Sequence, residues 1–226
     1  MTSPSKGRGR RAGLSRPVLV AGATELADAE GLEAVTIRRL AQRHGVTPMA
    51  IYAHFNDKDA LLDALGDTLL GDVQLPGGSL DEGGQDLEEV LTAFVTVLRA
   101  HPVLAPLAAR RILDCEAGLD IVECVLARLG EAGHTPEGAG AGSQYLLTAL
   151  VALVAGEPGR GAGTEDQQVH AQGTRERRAR LLALDPARHP RLIASADALA
   201  QCADPEAYYA DGIRRLVASV QVKIPS

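Results

Sequence analysis

Residues 36–55, TIRRLAQRHGVTPMAIYAHF, followed at once by Asn56-Asp57-Lys58, constrain this chain more than any other stretch. Thr36 is placed to cap a helix whose apolar face is Ile37, Leu40 and Ala41 at helical spacing. Gly45 supplies the permissive backbone that ends it. Thr47 and Pro48 then start a second helix, with a capping hydroxyl and a proline at the first helical position, where a missing N–H costs nothing. Helix, glycine turn, helix is the arrangement whose second helix enters the DNA major groove.

The remaining segments also read as helices, and the fold class expected is all-α. Aromatic residues make up 3% and Trp is absent, so the core must be built from Leu, Val and Ala, and Ala and Leu favour helices. The first helix runs from Ser15 to Glu30 with Leu19, Ala23, Leu26 and Ala27 on its buried stripe, and Gly31 stops it. A long helix follows from Lys58 to about Asp72, capped by Asn56 or Asp57. Residues 73–84 break the pattern and read as a loop. Helices are expected over Asp86–His101, irregularly over Val103–Ile112 between prolines, and over Gly118–Gly133. Thr135-Pro136 opens another, reaching Glu157, whose apolar second half exceeds what one face needs; it is read as buried on two sides, by its own core and by a partner chain. Residues 157–174 are Gly-rich and expected to be mobile. Arg175–Leu184 reads as an amphipathic helix with a basic solvated face, and Pro205–Val220 as the closing helix.

Charge is unevenly spread. The net charge is -6, yet residues 1–58 hold nine Lys/Arg against five Asp/Glu, and residues 59–226 hold fourteen against twenty-four. A basic end of +4 on a body of -10 focuses attraction for DNA on one part of the molecule. Residues 1–14 carry Lys6, Arg8, Arg10 and Arg11 and are expected to be disordered: a solubilising tail, or an arm that follows phosphates or enters the minor groove. Three cysteines, Cys115, Cys124 and Cys202, imply no disulfide framework, and a reducing cytoplasm fits; as a pair, Cys115 and Cys124 read as core residues before a redox switch. No apolar run approaches the roughly 20 residues needed to span a bilayer, so no membrane partner is expected.

The order and spacing of Thr36-Ile-Arg-Arg-Leu-Ala, Gly45-Val-Thr-Pro, Ile51-Tyr52-Ala-His54-Phe55 and Lys58-Asp-Ala-Leu-Leu resemble the DNA-binding domain of the TetR/AcrR repressors, from about Ser15 to Leu70. The C-terminal half more weakly resembles the regulatory domain of the tetracycline repressor. The resemblance implies a three-helix helix-turn-helix domain over 15–57 and a larger helical ligand-binding and dimerisation domain over 58–226. Ile51 and Phe55 belong in the small core, leaving Pro48, Met49, Ala50, Tyr52, Ala53 and His54 to face DNA. By resemblance Tyr52, His54, Thr36 and Lys58 sit near phosphates, Thr47, Met49 and Ala50 approach base edges, and Arg38 contacts DNA. Met49 and Ala50 have no hydrogen-bonding groups, so their readout is contact with thymine methyls or steric exclusion.

The acidic half offers what a ligand cavity needs: amphipathic helices that converge with few large side chains. Leu65, Leu69, Phe94, Leu98, Leu104, Val125 and Thr148 are candidates to line it, with Arg111 or Tyr145 to orient a polar end. Where the tetracycline repressor holds drug and magnesium, this chain has Val73 or Gln74, Val90 and Ala108, which argues against tetracycline–magnesium while an aromatic or polyketide-like effector fits. No catalytic motif, cofactor fingerprint or metal-ligand spacing is found among the six histidines and three cysteines, so no enzyme, cofactor or metal site is expected. The expected protein is a homodimer, joined through helices 136–157 and 205–220, that binds a pseudo-palindromic double-stranded operator and is released by a small molecule. The alternative is a DNA-binding helical regulator without such a ligand: constitutive, architectural, or switched by a partner or by cysteine oxidation.

Overall fold

A computed structural model of the protein describes residues 14–76, 86–158, 167–202 and 204–221, and among these every regular element is helical. The expected basic arm, apart from Leu14, and residues 77–84 of the expected loop lie outside the described residues.

Three helices make the N-terminal head. α1 (Arg16–Glu30) ends at Gly31, whose φ of 88° is a conformation that glycine adopts without strain. α2 (Ile37–His44) starts where the Thr36 hydroxyl accepts the Arg39 N–H at 3.2 Å and ends on left-handed Gly45. α3 (Pro48–Tyr52) is shorter than the sequence suggested. Ala53 and His54 continue it as a turn that brings the Phe55 N–H to the Ile51 carbonyl at 3.1 Å and swings the Phe55 ring inward. Leu19, Ala23, Leu40, Ile51 and Phe55 close the head's small core. Arg39 pairs with Glu30 and Arg43 with Glu25, tying α2 to α1 across the surface. His44 lies against Gly22, where any Cβ would sit 2.3 Å from its ring nitrogen.

α4 (Lys58–Gly71) follows directly, with the Asp57 carboxylate accepting the Ala60 N–H at 2.7 Å. The body adds α5 (Leu87–Ala100), a 3-10 turn at Pro102–Leu104, α6 (Ala105–Arg111), α7 (Glu116–Glu131), α8 (Pro136–Ala155) and α12 (Pro205–Gln221). The prolines at 102 and 106 set the break between α5 and α6, because neither can donate to a continuing helix. Head and body share one apolar core that runs from Leu19 through Leu65 and Phe94 to Leu150.

α8 is the central helix, packing on α5, α6, α7 and α12. It has 20 residues, and an 18-residue window of it has a mean hydropathy of 1.4, long and apolar enough to cross a bilayer, which corrects the expectation that no segment approaches that length. Only 39% of its apolar window is buried within the chain. The outward stripe is Ala141, Gln144, Tyr145, Thr148, Ala152 and Ala155, which recur at helical spacing.

Between α8 and α12 the chain makes an excursion of α9 (Gln167–Leu182), α10 (Pro190–Ala194) and α11 (Ala196–Ala200), which pack chiefly on one another. Residues 167–174, expected to be mobile, are helical: the run is rich in Gln, Ala and Arg, and Gly173 alone among residues 167–182 opposes a helix strongly. Residues 159–166 lie outside the described residues. No described α9 side chain is buried, so the expected amphipathic helix has a basic face and no buried stripe. The excursion is closed at its base, where the Cys202 N–H donates to the Pro158 carbonyl and the Tyr209 hydroxyl to Glu157, both at 2.9 Å.

Candidate nucleic-acid interface and ligand cavity

With Ile51 and Phe55 turned inward, the opposite side of α3 is exposed among the described residues. Met49 is 73% exposed and Tyr52 46%. Thr47, Pro48, Ala53 and Arg38 are exposed beside them, and Ala50, His54, Thr36 and Lys58 are half-buried around the rim. The ten candidate DNA-contacting residues therefore lie on the surface of the head, on and around α3. Thr36 has a second task, since its hydroxyl caps α2. Among the described residues no ion pair engages Arg38, whereas Arg39 and Arg43 on the same helix are held by α1 carboxylates. This leaves Arg38 and Lys58 as the cations of the face, together with the hydroxyls of Thr47 and Tyr52 and the ring of His54. Such groups bind phosphate oxygens, while exposed Met49 offers a base edge only apolar contact.

In the body, a cavity of about 380 Å³ opens between α5, α6, α7 and α8. Phe94 and Thr148 stand on its wall as expected from sequence. The rest of the expected set does not meet there. Leu65, Leu69, Leu98, Leu104 and Val125 are fully buried packing residues of the core. Tyr145 points away on the outward stripe of α8, half exposed. Arg111 turns to α4, donating from Nε to Asp67 at 2.8 Å with Asp63 at 3.8 Å, and that hydrogen bond raises its pKa further. It is a strut between α4 and α6, because an arginine next to two carboxylates on the facing helix has no reason to enter an apolar void.

Sequence reading missed Ile112, Val122, Leu126, Ser143, Gln144 and Leu147 on the wall. The signal that could have found them is on α8, where Ser143–Leu147 and Gln144–Thr148 are two i, i+4 pairs side by side that mix polar and apolar groups. Among the described residues, no group of three or more His, Cys, Asp and Glu stands close enough to hold a metal ion.

Fold and site together define a class: a helix-turn-helix head carried on a larger helical body with a cavity open to solvent. Residues 19–65 match the model of the bacterial regulatory proteins of the tetR family. The head is thus a tetR-family DNA-binding domain, and the similar proteins support a regulator of the TetR/AcrR kind. The chain is similar to an HTH-type transcriptional regulator of Saccharopolyspora erythraea, 33% identical over 120 residues, 53% of this chain and 51% of that one. It is also similar to the class C tetracycline repressor protein of Escherichia coli, 47% identical over 57 residues, 25% of this chain and 26% of that one. The chain thus spans about half the length of the first of these relatives and about a quarter of the second. In structure it resembles ActR of Streptomyces coelicolor, a TetR family protein solved in complex with (S)-DNPA, with a TM-score of 0.68 and 26% identity over 93% of this chain and 98% of that one.

Proposed function

We propose that this protein is a dimeric transcriptional repressor, acting in the cytoplasm, that binds a pseudo-palindromic operator and leaves it when a small apolar or aromatic molecule enters the cavity. The observation that carries the reading is the outward face of α3, with Met49 at 73% exposure over a sealed core of Ile51 and Phe55. An exposed methionine alone is ordinary, and what supports the reading is that it shares one face with Tyr52, Thr47, Arg38 and Lys58, groups that bind phosphates. Two such faces on a two-fold dimer, roughly 34–36 Å apart, match successive major grooves. The small residues and Tyr145 on the outward stripe of α8 suit a tight pairing of helices, and α12 lies beside them. The effector must bind the released form more tightly, by about 1.4 kcal/mol for each tenfold loss of operator affinity.

The test is enrichment of palindromic sequences from a random duplex pool by the full chain at low salt. Wild type should select a two-fold site. Tyr52→Ala and Lys58→Ala should weaken binding to that site, and Lys58→Ala should lower the salt slope by about one. A pool that shows no enrichment removes the proposal.

A further inference from the structure

The head is tied to the body in two places. One is α4, which follows α3 and packs on α1. A single line of helix contact would leave the head free to swing about it. The other is the end of α5, where α1 meets the 3-10 turn Pro102–Leu104 and His101 Nδ1 lies 2.6 Å from the Asp28 carboxylate in the last turn of α1. Two residues earlier, Arg99 reaches α12 instead. Its terminal nitrogens fork onto Glu206 at 3.0 and 2.6 Å, and its guanidinium stacks 4.3 Å over the Tyr209 ring. Glu206 is 81% exposed, so that ion pair alone is weak. Buried Tyr209, whose hydroxyl donates to Glu157 just past α8, is the firmer hold. Val90, Leu91, Phe94 and Leu98 are fully buried, so α5 has no room to bend and moves as a unit. Pro102 fixes the backbone immediately after His101.

We propose that the end of α5 is a bracket, with Arg99 on α12 and His101 on Asp28 of α1, that fixes the angle between the reading head and α12 and so sets the half-site spacing the protein accepts. The spacing rests on the reading of the chain as an operator-binding dimer paired through α8 and α12; the fixed angle does not. Arg99, His101 and Asp28 are positioning residues, acting through where they hold the head. Their path runs from the pairing helix and is separate from the Arg111 strut between α4 and α6.

The experiment measures the angle first. Nitroxides are placed at Val18→Cys on α1 and Glu123→Cys on α7, both exposed, in a full chain carrying Cys115→Ser, Cys124→Ala and Cys202→Ser. Diluted into unlabelled protein, they report head-to-body distances within one chain by double electron–electron resonance. The parent should give one narrow distribution. His101→Ala and Asp28→Ala should each widen it about twofold, and the two together no further, because both remove the same contact. His101→Asn keeps an N–H donor near the place of Nδ1 and should stay narrow. Arg99→Ala should widen it too, although its partners Glu206 and Tyr209 are on α12. Substitutions on three different contacts of the bracket mean that a fold lost in one variant leaves the others. Spacing is then read on duplexes built from the half-site that wild type enriches, with the centre one base pair longer or shorter. That step moves one half-site by about 3.4 Å along the duplex and about 34° around it. Wild type should prefer one spacing by about tenfold. His101→Ala and Arg99→Ala should reduce the preference to about threefold, with affinity for an isolated half-site unchanged within about twofold.

The bracket is overturned if His101→Ala and Asp28→Ala leave the distances as narrow as the parent's, if Arg99→Ala does, or if His101→Asn widens them as His101→Ala does. It is overturned equally if the widened chains keep the wild-type spacing preference, or if affinity for the isolated half-site falls with it, since the damage is then in the head itself. A wild type that enriches no operator loses the proposed function, and the distances still decide whether the angle is held from α12.

Discussion

Two helical glycines, Gly118 and Gly140, have opposite consequences for substitution. A Cβ on Gly118, near the start of α7, would lie 2.3 Å from the Ile112 carbonyl oxygen and 2.7 Å from the Ile112 Cα. Those are backbone atoms, so nothing can swing aside, and the α6–α7 corner has to open. Gly118→Ala should cost about 2–3 kcal/mol, at the upper end of what overpacking does. Gly140 sits in the interior of α8 with open space beyond it, and Gly140→Ala should gain about 0.5–1 kcal/mol by removing backbone freedom from the unfolded chain. Urea unfolding of the two variants gives both numbers, and equal midpoints would contradict the packing drawn here. The cysteines make a second case at this scale. All three are free thiols, and burial pushes each of them up in pKa. A raised thiol pKa means less thiolate at neutral pH than an ordinary cysteine has, and thiolate is the reactive form. Alkylation by iodoacetamide at pH 7 should therefore be slower in the folded chain than in urea, and should accelerate as pH rises. Fast labelling of any one thiol in the folded chain would revive the redox-switched alternative.

Among the elements, the seam between α4 and α6 is the direct path from cavity to head. Gly66 lets the helices close: a Cβ there would meet the Arg111 Cγ at 2.8 Å. Arg111 and Arg110 then reach across to Asp67 and Asp63. Since α4 starts six residues after α3 ends, any shift of α6 by a ligand reaches the reading helix through this contact. Arg111→Ala should lower stability by about 1 kcal/mol, a partly exposed ion pair being weakened by solvent screening. It should leave the affinity for an aromatic probe of the cavity, such as 1,8-dihydroxyanthraquinone, unchanged and reduce the probe's effect on operator binding. A large change in probe affinity would put Arg111 back at the cavity. The same elements show what periodicity makes readable. Caps and stop signals around Thr36, Gly45, Asp57 and Thr135 are local chemistry, and the helices they bound lie within a few residues of where the sequence put them. Cavity walls are different, because whether Leu98 or Leu126 borders a void depends on the rotation of one helix against its neighbours. A pattern that repeats every 3.6 residues says that both face inward and not which of them meets space. Arg111 shows the same limit: its charge marks it for a partner, and only the fold reveals that the partner is Asp67. The helical start of α9 was hidden for another reason, because its low apolar content reads as loop when the helix is held by neither a stripe nor a core.

Taken whole, the molecule sets an acidic body of -10 over residues 59–226 against a head whose residues 14–58 hold five Lys/Arg and five Asp/Glu, the two joined by α4 and by His101, whose Nδ1 lies 2.6 Å from the Asp28 carboxylate on α1. In the proposed reading the acidic body repels DNA and favours approach by the head, and one head alone makes a short list of phosphate and base contacts. Operator affinity in the proposed dimer therefore depends on the surface through which two chains pair. α8 has the hydropathy of a buried helix and is buried over only 39% of its apolar window, so its remaining apolar surface requires a cover. On a two-fold axis the same stripe meets itself, and a substitution appears twice, near its own copy. Ala152 is exposed in the C-terminal half of that stripe and does not line the cavity. Ala152→Glu should therefore bring two carboxylates into an apolar contact and convert the dimer to monomers, seen in sedimentation equilibrium. Each monomer should keep its helix content and still bind the aromatic probe within a fewfold. Operator binding should fall at least a hundredfold and become steeply dependent on protein concentration, because the second half-site is no longer held at high effective concentration. If Ala152→Glu sediments as a dimer, the stripe of α8 is not the interface, and the spacing of the two reading heads must be set by another surface.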